Sequence, residues 1–385
     1  MMKYPNDWTE TTLGKSVQIA RGASPRPIEA FLTTSIDGVN WIKIGDAPKE
    51  GKYITHTEEK ITVSGARKSV TVRAGDFILS NSMSFGRPYI LAVDGCIHDG
   101  WLRLFDYNEQ IDKEFLYYIL SFRLIQEQFA TFAAGSGVQN LNKEVVKKVV
   151  VHFPSKPEQK AIAETLTIFD THIANLTELI EKKKAIREGA LEDLVSGKTR
   201  LSGFTGEWKE MQLGQIRKTK RGKRLVRSQL QQEQCVGSYP VFQNSLEPLG
   251  FYTEYSCYAG SVYVIAAGNA GDIGYSEIAF WAADDCYYYE QSNDINQKYL
   301  YYYLLFNQKS LSEQTRRTSI PRLSRDILDN LIIQLPKVDE QEAIAQILTD
   351  MDNEIHSLED ECDKIKQIRE GAMDDLLTGK VRLTD

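Results

Sequence analysis

Apolar residues fall at a 4-3-4-3 spacing from Ile162 through Leu166, Phe169, Ile173, Leu176 and Ile180 to Leu194. The same spacing returns from Ile344 through Leu348, Met351, Ile355, Leu358 and Ile365 to Leu376. A seam this narrow is the mark of a helix that must be buried against another helix. Each run predicts a helix of about 50 Å at 1.5 Å per residue. Gly197 and Gly379 stand where C-terminal stops belong, and Pro157 precedes the first run as a boundary. The nearest partner for either helix is the other, so an intramolecular antiparallel coiled coil is expected, with a globular domain at each end about an approximate two-fold axis. The alternative is that each helix pads its own domain.

The recurrence extends beyond the seam. Residues 158–201 match 340–383 without a gap, 182 positions apart, and about half of the pairs are identical. Trp8, Leu13, Gly14, Arg21 and Gly22 are matched 200 positions later by Trp208, Leu213, Gly214, Arg221 and Gly222. The chain is therefore a tandem duplication in which each half is a divergent stretch followed by a well-kept helical one. The expected organisation is a variable domain over 1–157, a spacer helix over 158–203, a second variable domain over 204–339 and a second spacer helix over 340–385.

The variable stretches predict mixed strand and helix, an α+β fold. Short apolar runs at 69–72, 77–80, 89–93 and 261–266 are punctuated by Gly75, Gly86, Gly95, Gly268, Gly271 and Gly274. Residues 114–132 and 297–314 predict aromatic-rich helices, and 145–154 and 327–336 match at the 182-residue offset, so the copied frame enters each domain.

At 385 residues with 42% hydrophobic content, two or three cores are expected. Cys96, Cys235, Cys257, Cys286 and Cys362 contain no CxxC pair and suggest neither a disulfide framework nor a zinc site. No charged-then-apolar leader and no apolar run of about 20 residues is found, so a cytoplasmic protein without a membrane span is expected. The net charge of −7 is unevenly spread: +2 over 1–157, −1 over 158–203, 0 over 204–339 and −8 over 340–385. Both variable stretches remain free to face phosphate, and the acidic last segment is expected to face away from it.

These features together resemble the specificity subunit of type I restriction-modification enzymes. The resemblance rests on Trp8 with Leu13-Gly14, on Gly75-Asp76-Phe77-Ile78-Leu79-Ser80 followed by Gly86-Arg87, on Gly135-Ser136-Gly137 with Leu141-Asn142, on Pro154 with Glu158-Gln159 and Ile162-Ala163, and on the repeated heptad helix. It covers nearly the whole chain. It implies that each variable stretch is a target recognition domain reading one half of a bipartite, asymmetric double-stranded DNA site, and that the paired helices set the gap. It further implies a non-catalytic scaffold without cofactors. Two adenine-N6 methyltransferase subunits would dock on the helices, and restriction/translocase subunits would join through them. DNA methylation would then be the partners' chemistry, with the adenine flipped out of the duplex.

Several groups of residues have chemistry suited to DNA contact. Arg217, Lys220, Arg221, Lys223, Arg224 and Arg227 form the densest basic stretch, with no acid in it, and Arg21 and Arg26 stand at the matching place in the first half. Phosphate contact is the functional reading and a solvated loop the bland one. Arg316, Arg317, Arg322 and Arg325 could read guanine edges or form a basic helix end. Asn81, Ser82, Ser84, Arg87, Gln139, Asn140 and Lys143, with Gln243, Asn244 and Asn269 in the second half, suit base-edge hydrogen bonds, though turn chemistry alone explains many such residues. The tyrosines at 287–289 and 301–303 are better explained by burial than by base stacking. Gly197-Lys198-Thr199 imitates a P-loop end, but Glu192 stands where the leading glycine belongs. His98 and Asp99 offer no metal-ligand spacing. A coiled-coil adaptor that binds proteins without a DNA role is the main alternative, and a nucleotide-dependent enzyme is disfavoured by the missing P-loop.

Overall fold

A computed structural model of the chain describes residues 4–49, 51–81, 86–134, 141–315 and 321–383. Among the described residues five helices are eight residues or longer: α1 (Lys113–Ser121), α2 (Arg123–Ala134), α3 (Lys156–Val195), α4 (Gln297–Glu313) and α5 (Val338–Leu376). None is long and apolar enough to cross a membrane. Contacts divide the chain into two units, one formed by residues 1–178 with 360–385 and the other by 179–359. Both α3 and α5 are therefore shared, each giving one half to each unit.

Unit 1 is a sandwich whose order follows from period-2 patterning. Strand Phe77–Ser80 is buried on both faces. Phe77 and Leu79 join a core with Leu116, Leu120 and Phe129 of α1 and α2, while Ile78 points the other way, into a core with Ile42, Tyr89, Ile97 and Trp101. Helices, a first sheet and a second sheet are thus stacked in layers. The first sheet runs 18–21, 101–105, 77–80, 88–91, 53–54, and the second 32–33, 59–61, 39–42, 95–97, 70–72.

Unit 2 repeats this plan with fewer strands: 220–221, 286–288, 261–265, 273–276 in one sheet and 250–252, 239–242, 281–282 in the other. Val262 and Val264 face α4, and Tyr263 and Ile265 face Phe242 and Phe280. In both units the middle strand of the second sheet pairs antiparallel on one side and parallel on the other. Among the described residues, strands 32–33, 53–54 and 70–72 have no counterpart in unit 2 and account for part of the extra length of the first variable stretch.

The expected helix over 114–132 is two helices. Phe122 adopts an extended conformation between them and buries its ring, while the Gln126 side chain donates to the Leu120 carbonyl freed by the break. The long helices start earlier than expected. α3 has 40 residues, about 60 Å, and Pro157 lies inside its first turn, where its missing N–H is not needed. Gly197 and Gly379 both take positive φ, 73° and 72°, just past the helix ends.

Within each unit the two helix halves run antiparallel. In unit 1, Asp170 meets Arg369 and Glu158 meets Arg382; in unit 2, Arg187 meets Asp352 and Arg200 meets Glu340. Every pair joins one repeat to the other. Of the seam, Ile162, Leu166, Leu176, Ile180, Ile344, Leu348 and Ile355 are buried, and Phe169, Ile173, Met351, Leu358 and Ile365 are half-buried. The outer ends also pad the sandwiches: Ile162 and Leu166 pack with Met373 and Leu376 in the unit 1 core, and Ile344 and Leu348 with Leu191 and Leu194 in the unit 2 core.

Polar locks at equivalent positions fix this arrangement. Gln159 is fully buried and satisfied, accepting from the Asp112 amide and donating to the Gln110 and Pro154 carbonyls. Gln341 does the same with Asn296, Asp294 and Pro336. Tyr118 donates to Asp170 at 2.6 Å, and Tyr302 to Asp352 at 2.8 Å. Glu158 is 1% exposed at its side chain, with Arg382 Nε 2.8 Å away, and Arg382 also holds Asp7. The two carboxylates raise the Arg382 pKa above its ordinary value. Removing the arginine strands a buried carboxylate, so Arg382→Met is expected to cost about 3 kcal/mol. Arg382→Lys, which keeps charge but loses the fork, should fall between. Urea midpoints of the two variants check this, and equal loss in both would contradict it.

Candidate nucleic-acid interface

The echoed Arg-Gly pairs occupy the same position in both sandwiches. Strand Gln18–Arg21 pairs antiparallel with Trp101–Phe105, and Lys220–Arg221 with Cys286–Tyr288. A side chain at Gly22 would collide with the His98 carbonyl, and one at Gly222 with the Ala283 carbonyl, so glycine is required for the chain to pass this close. The preceding arginine then reaches a main-chain acceptor. Arg21 Nε donates to the Asp99 carbonyl at 3.0 Å, and Arg221 Nε to the Asp284 carbonyl at 2.7 Å.

In unit 1 several candidates gather around Asp99. Its carbonyl also accepts from Asn81 Nδ2 at 2.9 Å. Its carboxylate accepts from Ser24 Oγ at 2.7 Å and faces Arg26 at 3.5 Å and Arg21 at 3.8 Å. The Ser24 hydroxyl holds the Asp99 carboxyl below the usual carboxylate range, assisted by neighbouring charge from His98 and Arg21. A cleft of about 700 Å³ is lined by Arg21, Asn81, Asn142 and Lys143 among others. A second, of about 820 Å³, is lined by Arg26, Trp41, His98 and Asp99 among others. Asn142 spends its side-chain oxygen capping the helix Lys143–Lys147, which leaves Lys143 exposed beside the cleft.

In unit 2 Arg322 lies beside the Arg221 acceptor, since Arg221 holds Asp284 and Arg322 holds Asp285. Asn269 N donates to the Asn244 carbonyl at 3.0 Å. Gly268 (φ 87°) makes that approach possible. Arg322 bridges to Ala267 and pairs with Asp285 at 3.4 Å. Lys223 and Arg224 continue the exposed edge, with the Lys223 carbonyl held by Trp281 Nε1 at 2.9 Å. Gln243 is half-buried, and Arg227 is exposed on a single turn, Arg227–Gln229.

Other candidates are engaged elsewhere. Lys220 pairs with Glu290, Arg217 donates to the Gln291 carbonyl, Arg325 faces Asp329 at 3.8 Å, and the Arg87 guanidinium lies 5.4 Å over the Tyr89 ring. Ser82, Ser84, Gln139, Asn140, Arg316 and Arg317 lie outside the described residues. The tyrosines of α4 are core: the Tyr299 and Tyr303 hydroxyls donate to the Gln334 and Ile332 carbonyls. Among the described residues no group of three or more His, Cys, Asp or Glu could hold a metal ion. Sequence reasoning missed Ser24, Asp284 and Asp285 and set Asp99 aside. The only available signal was the Arg-Gly echo, which marks the arginine but not its acceptor.

The family model for the type I restriction modification DNA specificity domain matches residues 5–185 and 205–367, one copy over each half of the chain. The chain belongs to that family. It is similar to the MjaVIII type I specificity subunit of Methanocaldococcus jannaschii, 23% identical over 99% of this chain and 95% of the relative. A putative type I specificity subunit of Mycoplasma genitalium is 26% identical over 68% of this chain and 70% of its own. Among solved structures, the S subunit of a type I restriction-modification system from M. genitalium superposes with a TM-score of 0.69 at 22% identity, covering 97% of this chain and 98% of that one. The chain is accordingly a DNA-specificity component of a type I restriction-modification system, a non-catalytic subunit that works with DNA and other subunits.

Two outcomes follow from this geometry. Arg221→Glu with Arg224→Glu should weaken duplex binding across all sequences and flatten the slope of log affinity against log salt by about one per lost phosphate contact, with circular dichroism unchanged. An unaltered slope would contradict phosphate contact. His98 sits between Trp41 and Trp101, with the Ile44 and Gly100 amides both aimed at its ring nitrogens. Burial holds its pKa below the ordinary value of 6.5. The folded chain thus resists a proton that the unfolded chain takes up. The stability this histidine contributes is full above the ordinary value and falls as pH drops below it. His98→Gln should show a smaller loss of melting temperature between pH 7.5 and pH 5 than the parent chain, and an equal or larger loss would contradict this.

Proposed function

We propose that each sandwich reads one half of a bipartite, asymmetric DNA site and that α3 and α5, each shared between the units, set the gap between the halves. The observation that carries this reading is the repetition of one frame under two different surfaces. Both units hold an arginine at the same strand end against an aspartate carbonyl, yet the place of Asn81 in one unit is taken by Ala266 in the other, and in the second unit Arg322 pairs with the aspartate that follows the acceptor. Linking two modest readers also makes the second contact intramolecular, which raises overall affinity without new contacts.

The helix pair docks two adenine-N6 methyltransferase subunits, through which restriction/translocase subunits join, and the assembly acts in the cytoplasm. Ile186 and Ile368, equivalent in the two repeats, are 58% and 45% exposed, and Ile168 is also exposed on the first of the two helices, as suits surfaces that partners cover, one in each unit. A further structural neighbour, TM-score 0.58, comes from work described as the structural basis of complex assembly and conformational transition of the type I R-M system, which accords with such docking.

Mapping N6-methyladenine in DNA from cells that carry this chain with its partners tests the reading. The expected result is a motif of two unlike defined segments separated by a fixed undefined gap; a contiguous motif would overturn it. Ile186→Glu with Ile368→Glu is expected to release the methyltransferase subunits in gel filtration while the chain keeps its melting temperature, and retained assembly would contradict docking at these two positions.

A further inference from the structure

A carboxylate is out of place on a surface meant for DNA, because it repels the phosphates. Unit 1 nevertheless puts Asp99 between Arg21 and Arg26, and unit 2 puts Asp285 against Arg322. Asp99 is also firmly held. Ser24 Oγ donates to its carboxylate, and the Asp99 amide is aimed back at the same hydroxyl at 3.3 Å. Its carbonyl collects Arg21 Nε and Asn81 Nδ2.

The result for Arg21 is a guanidinium fixed on one side at Nε by a main-chain oxygen and steered at Nη2 by a carboxylate. Phosphate binding gains little from such restraint, since an unoriented point charge suffices. A guanine edge does gain, because its O6 and N7 must be met by two donors in one plane. In unit 2 the two restraints fall on two arginines: the Asp284 carbonyl holds Arg221 at Nε, and the carboxylate of the next residue, Asp285, holds Arg322.

We propose that Asp99 and Asp285 are positioning residues for base readout, Asp99 orienting Arg21 and Asp285 orienting Arg322, each toward a guanine edge in its own half-site, so that specificity is gained at some expense of non-specific affinity. The inference rests on the reading that both units bind duplex DNA and adds which positions impose sequence preference and for which base. Removing the acid should do two opposite things at once. One negative charge fewer beside the phosphates strengthens binding to any duplex, whereas freed arginines discriminate less.

The test uses the complete chain assembled with its methyltransferase subunits, in the parent form and as Asp99→Asn and Asp285→Asn. Affinity is measured for a duplex without the site, and methylation rate for the mapped site and for versions with single base pairs changed in either half. Asp99→Asn is expected to bind the unrelated duplex more tightly and to lose roughly 5- to 150-fold of its preference at a G·C pair in one half only. Asp285→Asn should do so in the other half. Loss of binding to all duplexes together, or relaxation in both halves from one substitution, would overturn the proposal, as would unchanged preference. Arg21→Lys is the second variant: it keeps the charge but not the fork, and should lose the same preference as Asp99→Asn while retaining the parent salt slope. Retained preference in Arg21→Lys contradicts the proposal even if Asp99→Asn does not fold. Failure of the underlying reading is distinguishable, since the parent assembly itself would then show no split methylated site.

Discussion

Two buried carboxylates, Glu158 and Glu340, govern how this chain can fold. Each opens a long helix, each is nearly inaccessible to water, and each is neutralised by an arginine from just past the end of the other repeat's helix. A buried charge without its partner is costly, so neither sandwich is complete until the end of the other repeat's helix arrives. Asp170 with Arg369 and Asp352 with Arg187 apply the same requirement part-way along. The apolar seam supplies most of the burial, but it tolerates sliding by a heptad. The ion pairs, with Tyr118 and Tyr302 on the same carboxylates, select one register.

That division of labour explains how the two halves differ so much in sequence without differing in plan. Alternation along strands 77–80 and 261–265 sends one face to the helices and the other to the second sheet, so apolar character at alternate positions is enough to keep the layers. The strand ends and the turns between them carry no such duty. Residues can change there, and unit 1 can add edge strands, without disturbing the carboxylate locks some distance along the chain. The strand ends are therefore free to vary without cost to the fold, as the proposed reading of two unlike half-sites requires.

The same division decides what was legible in the sequence. Heptad spacing and the 182-residue echo revealed the long helices and their pairing, because both are periodic. Strands 77–80 and 261–265 were visible as short apolar runs. The break at Phe122 was not, since 114–132 keeps helical composition throughout and only the Gln126 side chain, closing the Leu120 carbonyl, makes the interruption tolerable. At the interface, Arg21 and Arg221 were marked by repetition. Nothing local distinguishes Arg221, free on one side, from Lys220 and Arg217, which turn to Glu290 and Gln291. Asp99 was visible only as a poor metal candidate and Asp285 not at all, because a lone acid has no pattern and its neighbours are set by tertiary pairing.

The central claim is that each sandwich reads its own segment of DNA. It is tested most directly by exchanging one reader. In a chain whose residues 208–335 are replaced by residues 8–153, assembled with the same partners, the methylated site should consist of two copies of one half-site separated by a gap. A methylated motif that keeps its two unlike segments would contradict the account.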